Sequence, residues 1–212
     1  MKVLSLLIAM LLLTGPVRAS ETSLPALDAA GVEQLLPAAT RATLRAAVAT
    51  GAFVQKKQLA DLPKPLVSSG RFLRARGLGI DWQVQKPFAS DFVLTTAALT
   101  EKSGGSVRRS AAAQQPALAA ASRLLLALFA LDVKTLESEF RFAGAKVGSG
   151  WQLKLTPRHA ALASAFTEAW VEGDSLLRRV RLVDGRGDVT EISFSEQATQ
   201  AALTPAQKAR FE

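Results

Sequence analysis

Hydrophobic positions recur along this chain with two different periods. Between residues 28 and 49, Val32, Leu35, Leu36, Leu44, Ala47 and Val48 fall at helical spacing. Asp28 is placed to cap that run, Pro37 to kink or divide it, and Gly51 to stop it. Residues 52–59 then read as a strand. The connector Leu62-Pro63-Lys64-Pro65 cannot join a central ladder, because proline has no N–H to donate. Residues 66–76 return to strand-like text and end at Gly77-Leu78-Gly79. Ile80, Trp82 and Val84 alternate with Asp81, Gln83 and Gln85, the signature of a half-buried strand, and Pro87 closes it. Residues 92–96 form another strand, and Gly104-Gly105 marks a hairpin or loop.

Residues 116–131 break the style. Pro116 suits a first helical turn, and from 117 to 131 only Ser122 and Arg123 interrupt an apolar run. A surface helix keeps a polar face; this one must be covered, or must cover something apolar. Period-2 text then resumes over 137–143. It is clearest where Trp151, Leu153 and Leu155 alternate with Gln152, Lys154 and Thr156. A short helix is expected over 158–163. Strands follow over 165–171 and 176–183 around a Gly173-Asp174 turn, and over 189–194 after the turn-rich 184–188. Residues 195–201 look irregular, and Thr204-Pro205 starts a terminal helix. Strands joined by short turns pair antiparallel. The expected fold is therefore α+β: one large curved antiparallel sheet with helices gathered on one face. Phe72, Ile80, Trp82, Val84, Trp151, Leu153, Leu155, Trp170, Val180, Leu182, Ile192 and Phe194 make its apolar face.

The first 19 residues stand apart. Lys2, an apolar run over 3–13 and small residues at Val17 and Ala19 spell a secretory signal peptide cut after Ala19, which leaves 20–212 as a single domain outside the cytoplasm. Removing Lys2 and Arg18 takes the 26 basic residues to 24 against 18 acidic, a net +6. The chain has no Cys and one His, so thiolate metal sites, disulfides and most catalytic zinc sites are excluded. No metal or cofactor is expected. Gly173-Asp174-Ser175-Leu176 spells an esterase signature, yet the only base, His159, lies upstream of it. No strand presents a pair of acid–base carboxylates. Arg186-Gly187-Asp188 reads as a hairpin tip. The clusters Lys56-Lys57, Arg108-Arg109 and Arg178, Arg179, Arg181 lack interleaved aromatics, so nucleic acid is not an expected partner.

Two segments add up to a family text. One is Phe53-Val54-Gln55-Lys56-Lys57-Gln58-Leu59 with Leu62, Pro65-Leu66 and Ser68-Ser69-Gly70. The other is Arg76-Gly77-Leu78-Gly79-Ile80-Asp81-Trp82 with Lys86-Pro87. Over roughly residues 48–194 the chain resembles the LolA-like periplasmic lipoprotein carriers, closest to the variant associated with arylpolyene-type lipids. The resemblance implies an unclosed β half-barrel with helices on its concave face as a lid. It implies acylated lipoprotein or lipid as cargo, an inner-membrane donor and an outer-membrane acceptor. It also places a lid latch at Arg76; Arg74, on the same face by alternation, ranks second. The family's Asp-Gly hairpin after its fourth strand is replaced here by Thr96-Ala97-Ala98.

The residues fit that implication on physical grounds. A hydrocarbon chain gains about 0.8 kcal/mol for each methylene moved out of water, which a dry concave surface with a removable apolar cover supplies. Phe72, Ile80, Trp82, Val84, Trp151, Leu153 and Leu155 are the expected cavity residues, and Leu124, Leu125, Leu128 and Phe129 the expected lid. The expected function is a monomeric, non-enzymatic periplasmic carrier; the alternative is a periplasmic sensor or regulatory interaction module on the same fold.

Overall fold

The computed structural model describes residues 24–114, 116–163 and 166–212; the expected signal peptide, residues 1–19, lies outside the described residues. The chain runs β1 (Ala26–Leu27), α1 (Ala29–Leu35), α2 (Ala38–Arg45), β2 (Val48–Gln58), β3 (Leu66–Ala75), β4 (Gly79–Lys86), β5 (Ser90–Thr95), β6 (Ala98–Ser103) and β7 (Ser106–Ala111). It continues α3 (Pro116–Ala130), α4 (Val133–Leu136), β8 (Phe140–Val147), β9 (Gly150–Pro157), α5 (Ala160–Ala163), β10 (Phe166–Gly173), β11 (Leu177–Asp184), β12 (Val189–Gln200) and α6 (Pro205–Lys208). Among the described residues the strands join one antiparallel sheet of twelve, in the order β1-β8-β9-β10-β11-β12-β2-β3-β4-β5-β6-β7. The edges β1 and β7 are not paired with each other, so the sheet is an unclosed half-barrel with helices on its inner face, the α+β class expected.

Both faces of the sheet carry apolar packing. On the inner face Val32, Leu35 and Leu36 of the α1 end, Ala127 of α3 and Val133 and Leu136 of α4 pack on Trp151, Leu153, Leu155, Ala169 and Val171. On the outer face Val48, Leu73, Ala75 and Val93 are covered by Phe211 from the terminal turn Ala209–Phe211. There the buried Asp81 carboxylate accepts hydrogen bonds from Arg210 Nε at 2.8 Å and Nη2 at 3.1 Å.

Three expectations change. The helical text does not reach Ala49: Pro37 precedes α2, which ends at Arg45, and Val48 begins β2 because its side chain fills the outer-face core. Gly51 accordingly stops no helix; a Cβ there would lie 2.6 Å from the Phe72 ring, so the missing side chain seats that ring. Residues 195–200 are strand, not irregular: β12 continues to Gln200 across a bulge, with Glu196 at φ 50°. Trp170 belongs to the outer face, opposite Lys154, since its neighbours Ala169 and Val171 take the inner positions against Leu155 and Leu153. It donates from Nε1 to Glu168 at 2.9 Å, and Lys154 Nζ lies 4.9 Å from its ring centroid. Burial pushes the Glu168 carboxyl up, but hydrogen bonds from Lys154 and Trp170 outweigh it and hold the group below its ordinary range.

Candidate functional site

The inner wall of β2, β3, β4 and β12 is aromatic because of register. Phe72 stands directly opposite Trp82 in the β3–β4 ladder. Trp82 stacks on Phe53 with centroids 3.8 Å apart, and Phe72 meets Phe194 edge-on at 5.6 Å. From the helix side, Phe129 of α3 brings its ring to 5.8 Å from Trp82. Leu44, Ala49, Phe72, Ile80, Trp82 and Phe129 line a residual pocket of about 40 Å³. That is room for little more than a water molecule or a methyl group. Val84 packs beside it, against the Phe53–Phe194 cluster.

The other expected cavity residues lie elsewhere on the sheet. Trp151, Leu153 and Leu155 are 2%, 0% and 0% exposed, sealed by α1, α3 and α4, and do not line the pocket. Alternation reads both groups alike, because a period-2 pattern reports burial on the inner face and not what covers each position. Trp151 is held by its Nε1–H, which donates to the Asp174 carbonyl at 3.0 Å. Among the expected lid residues, Leu124 and Leu128 pack on the inner core and Phe129 on Trp82. The side chain of Leu125 lies outside the described ones.

Helix α2 is a strap across this wall, tied at both ends. Thr40, fully buried, donates from its hydroxyl to the Ser175 carbonyl at 3.0 Å, in the β10–β11 turn. At the other end Arg74 Nη2 donates to the Thr43 carbonyl at 3.0 Å, with the Ala46 carbonyl at 3.5 Å, and Arg76 Nη1 donates to the Arg45 carbonyl at 3.2 Å. Arg74 is 7% exposed and points inward from β3; Arg76 lies one residue beyond the strand end and is exposed. Burial, and then the like charge of Arg76, lower the Arg74 pKa from its ordinary value. Sequence reasoning missed Thr40: a threonine amid alanines gives no periodic signal.

A wider basin of about 740 Å³ opens between the end of α2, the turn after β3 and the helices α3 and α4. Its charged lining is Arg45, Arg74, Arg76, Arg123 and Lys134, with Glu33 and Asp132. Leu44, Arg74 and Phe129 line both the basin and the small pocket, so those three side chains are the partition between them.

The sequence motifs of enzymes and adhesion tips resolve into turn chemistry. The Asp174 carboxylate accepts from the Leu176 amide, which depresses its pKa, and from Arg178 and the Ser175 hydroxyl. Asp188 of the Arg-Gly-Asp tripeptide is buried and accepts from the Ala60 amide at 3.0 Å. In the β5–β6 turn, where the resembled family has Asp-Gly, Thr95 Oγ1 accepts from the amides of Ala97 and Ala98.

The family profile described as outer membrane lipoprotein carrier protein LolA-like matches residues 23–211. A search of curated protein sequences finds no match. Among solved structures, the chain is similar to the LolA superfamily protein NE2245 from Nitrosomonas europaea, with 8% identity and a TM-score of 0.45, covering 82% of this chain and 95% of that one. It is also similar to a putative outer membrane lipoprotein-sorting protein domain from Vibrio parahaemolyticus, with 11% identity and a TM-score of 0.39 over 85% of this chain and 95% of that one. LprF from Mycobacterium bovis gives 14% identity and a TM-score of 0.34 over 81% and 94%.

Proposed function

The chain belongs to the LolA-like outer membrane lipoprotein carrier family, and from that membership and the geometry of the inner wall we propose that it is a periplasmic carrier of acylated cargo. The observation that carries this reading is the partition: an aromatic wall lies behind Leu44, Arg74 and Phe129, two of them on helices that cover the sheet. With the helices seated, about 40 Å³ admits no acyl chain. Loading therefore displaces Phe129 and Leu44 and lets hydrocarbon replace them against Phe72, Ile80, Trp82 and Val84. Arg76 and Arg74 act together as the latch on α2. Each bond from a charged donor to a carbonyl is worth at most about 3 kcal/mol, so breaking both is offset by burying about eight methylenes at about 0.8 kcal/mol each. Displacing Leu44 and Phe129 costs up to about 1.5–3 kcal/mol more for each, so several further methylenes are needed, and a long acyl chain opens the lid where a short one does not.

In this reading cargo, lipoprotein or lipid, comes from an inner-membrane donor and passes to an outer-membrane acceptor, and the carrier works as a monomer. Among the described residues no helix is long and apolar enough to cross a membrane. The test is mass spectrometry of small molecules co-purifying with the protein from the periplasm. Acyl-bearing species at close to one per chain are expected. A protein that is consistently empty is what a sensing or interaction module gives, and overturns the carrier reading.

A further inference from the structure

We propose that the cargo is an amphiphile with an anionic headgroup, a phosphate or carboxylate, seated in the basin while its hydrocarbon passes between Leu44 and Phe129 onto the aromatic wall. This deepens the carrier reading and rests on it. The charges of the basin do not cancel within the protein. Glu33 is taken by Arg45 at 2.7 Å. Asp132 caps α4, accepting from the Thr135 hydroxyl at 2.8 Å and its amide at 3.4 Å. Arg74, Arg76, Arg123 and Lys134 then face the basin with no carboxylate at ion-pair distance among the described residues. On the outer strands Arg178 is answered by Asp174, Arg179 by Glu172, Arg181 by Glu168 and Arg186 by Asp188; what sets the basin apart from the other free cations of the surface is that four of them line one concavity beside the aromatic wall.

Arg74 makes the vacancy specific. It is more than nine-tenths buried, and its like-charged neighbour is Arg76. A buried guanidinium without a counter-charge is costly. Its Nη2 reaches the Thr43 carbonyl, while Nε and Nη1, without a protein partner among the described residues, are not sealed from solvent and stay open to a ligand in the basin. An arriving anion supplies the missing charge at the same side chain that latches α2, so headgroup capture and lid release are coupled through one residue. The chemistry favours a free anionic lipid over the acylated N-terminus of a polypeptide, whose ester and amide groups bring no charge.

Isothermal titration with two probes of equal chain length, dodecyl phosphate and dodecyltrimethylammonium, both below micelle formation, tests this on the purified protein; inorganic phosphate is the third arm. The phosphate amphiphile is expected to bind one to one, at least about tenfold tighter than the ammonium one. That preference should shrink in 1 M salt, where the Debye length falls to about 3 Å. It should fall toward unity in Arg123→Gln/Lys134→Gln, whose positions are exposed, and in Arg76→Gln. Equal affinity for the two amphiphiles, or a preference that survives all three substitutions, overturns the headgroup site and leaves the carrier reading standing. Inorganic phosphate binding as tightly as dodecyl phosphate overturns it in favour of a free-anion site. If neither amphiphile binds, both readings fall together.

Discussion

Two arginines two positions apart reach the same helix end at different depths, and depth decides what each contributes. Arg74 bonds inside the half-barrel, where water competes poorly; Arg76 bonds at the rim, where it competes well. Arg74→Leu should therefore speed amide exchange in α2 by about tenfold or more relative to β9, the equivalent of losing about 1.5 kcal/mol, while Arg76→Ala changes it by less. Hydrogen exchange followed by mass spectrometry reads both; a larger effect from Arg76→Ala would put the latch at the rim. The family text pointed to Arg76 and strand alternation to Arg74, so both were legible. Their depths were not, because the end of β3 at Ala75, which leaves Arg76 in the turn, is a tertiary fact. Trp170 shows the converse: a tryptophan amid apolar neighbours reads as core, yet parity puts it with Lys154 outside.

At the scale of elements, α3 was plain from Pro116 and the apolar run, and its role follows from where its side chains land. Leu124 and Leu128 anchor it to packed core, whereas Phe129 packs on Trp82 and lines the basin. Among the described residues Ser122 is buried with no hydrogen-bond partner, and an unmet buried hydroxyl costs about 1–3 kcal/mol. Phe129→Ala should accelerate uptake of a fluorescent fatty acid in stopped flow, since the partition is removed while the anchoring leucines stay. Unchanged or slower uptake would show that hydrocarbon enters elsewhere. The start of β2 was misread for an elementary reason: the alanines before Val48 suit a helix, and only the outer-face core demands an extended chain there.

At the scale of the molecule, the sheet has a second, outer core that no local pattern announces. Asp81 on β4 is 0% exposed and is neutralised by Arg210, 129 residues further along, which also reaches Asp91 at 2.7 Å. Alternation labels Asp81 as a solvent position, and nothing near it names its partner. Arg210→Ala leaves a buried carboxylate unpaired and should cost about 3 kcal/mol, the low end for a broken buried pair because the Arg210 side chain is itself 33% exposed. Asp81→Asn/Arg210→Ala should recover part of that loss in urea denaturation. A double variant no more stable than the single one would mean that the ion pair is incidental to the docking of the terminal turn.

The strand order carries a kinetic corollary. β12 zips onto β2 at the middle of the sheet, with Val189 opposite Gln58 and Gln200 opposite Val48. The two halves of the trough, β8 to β12 and β2 to β7, can each form hairpins from sequential neighbours, but the seam between them needs nearly the entire polypeptide. Such high contact order slows folding. On a chain synthesised from its N-terminus, the free edge of β2 waits unpaired until the last long strand emerges, so helper proteins that shield nascent chains have their longest window of engagement at this seam.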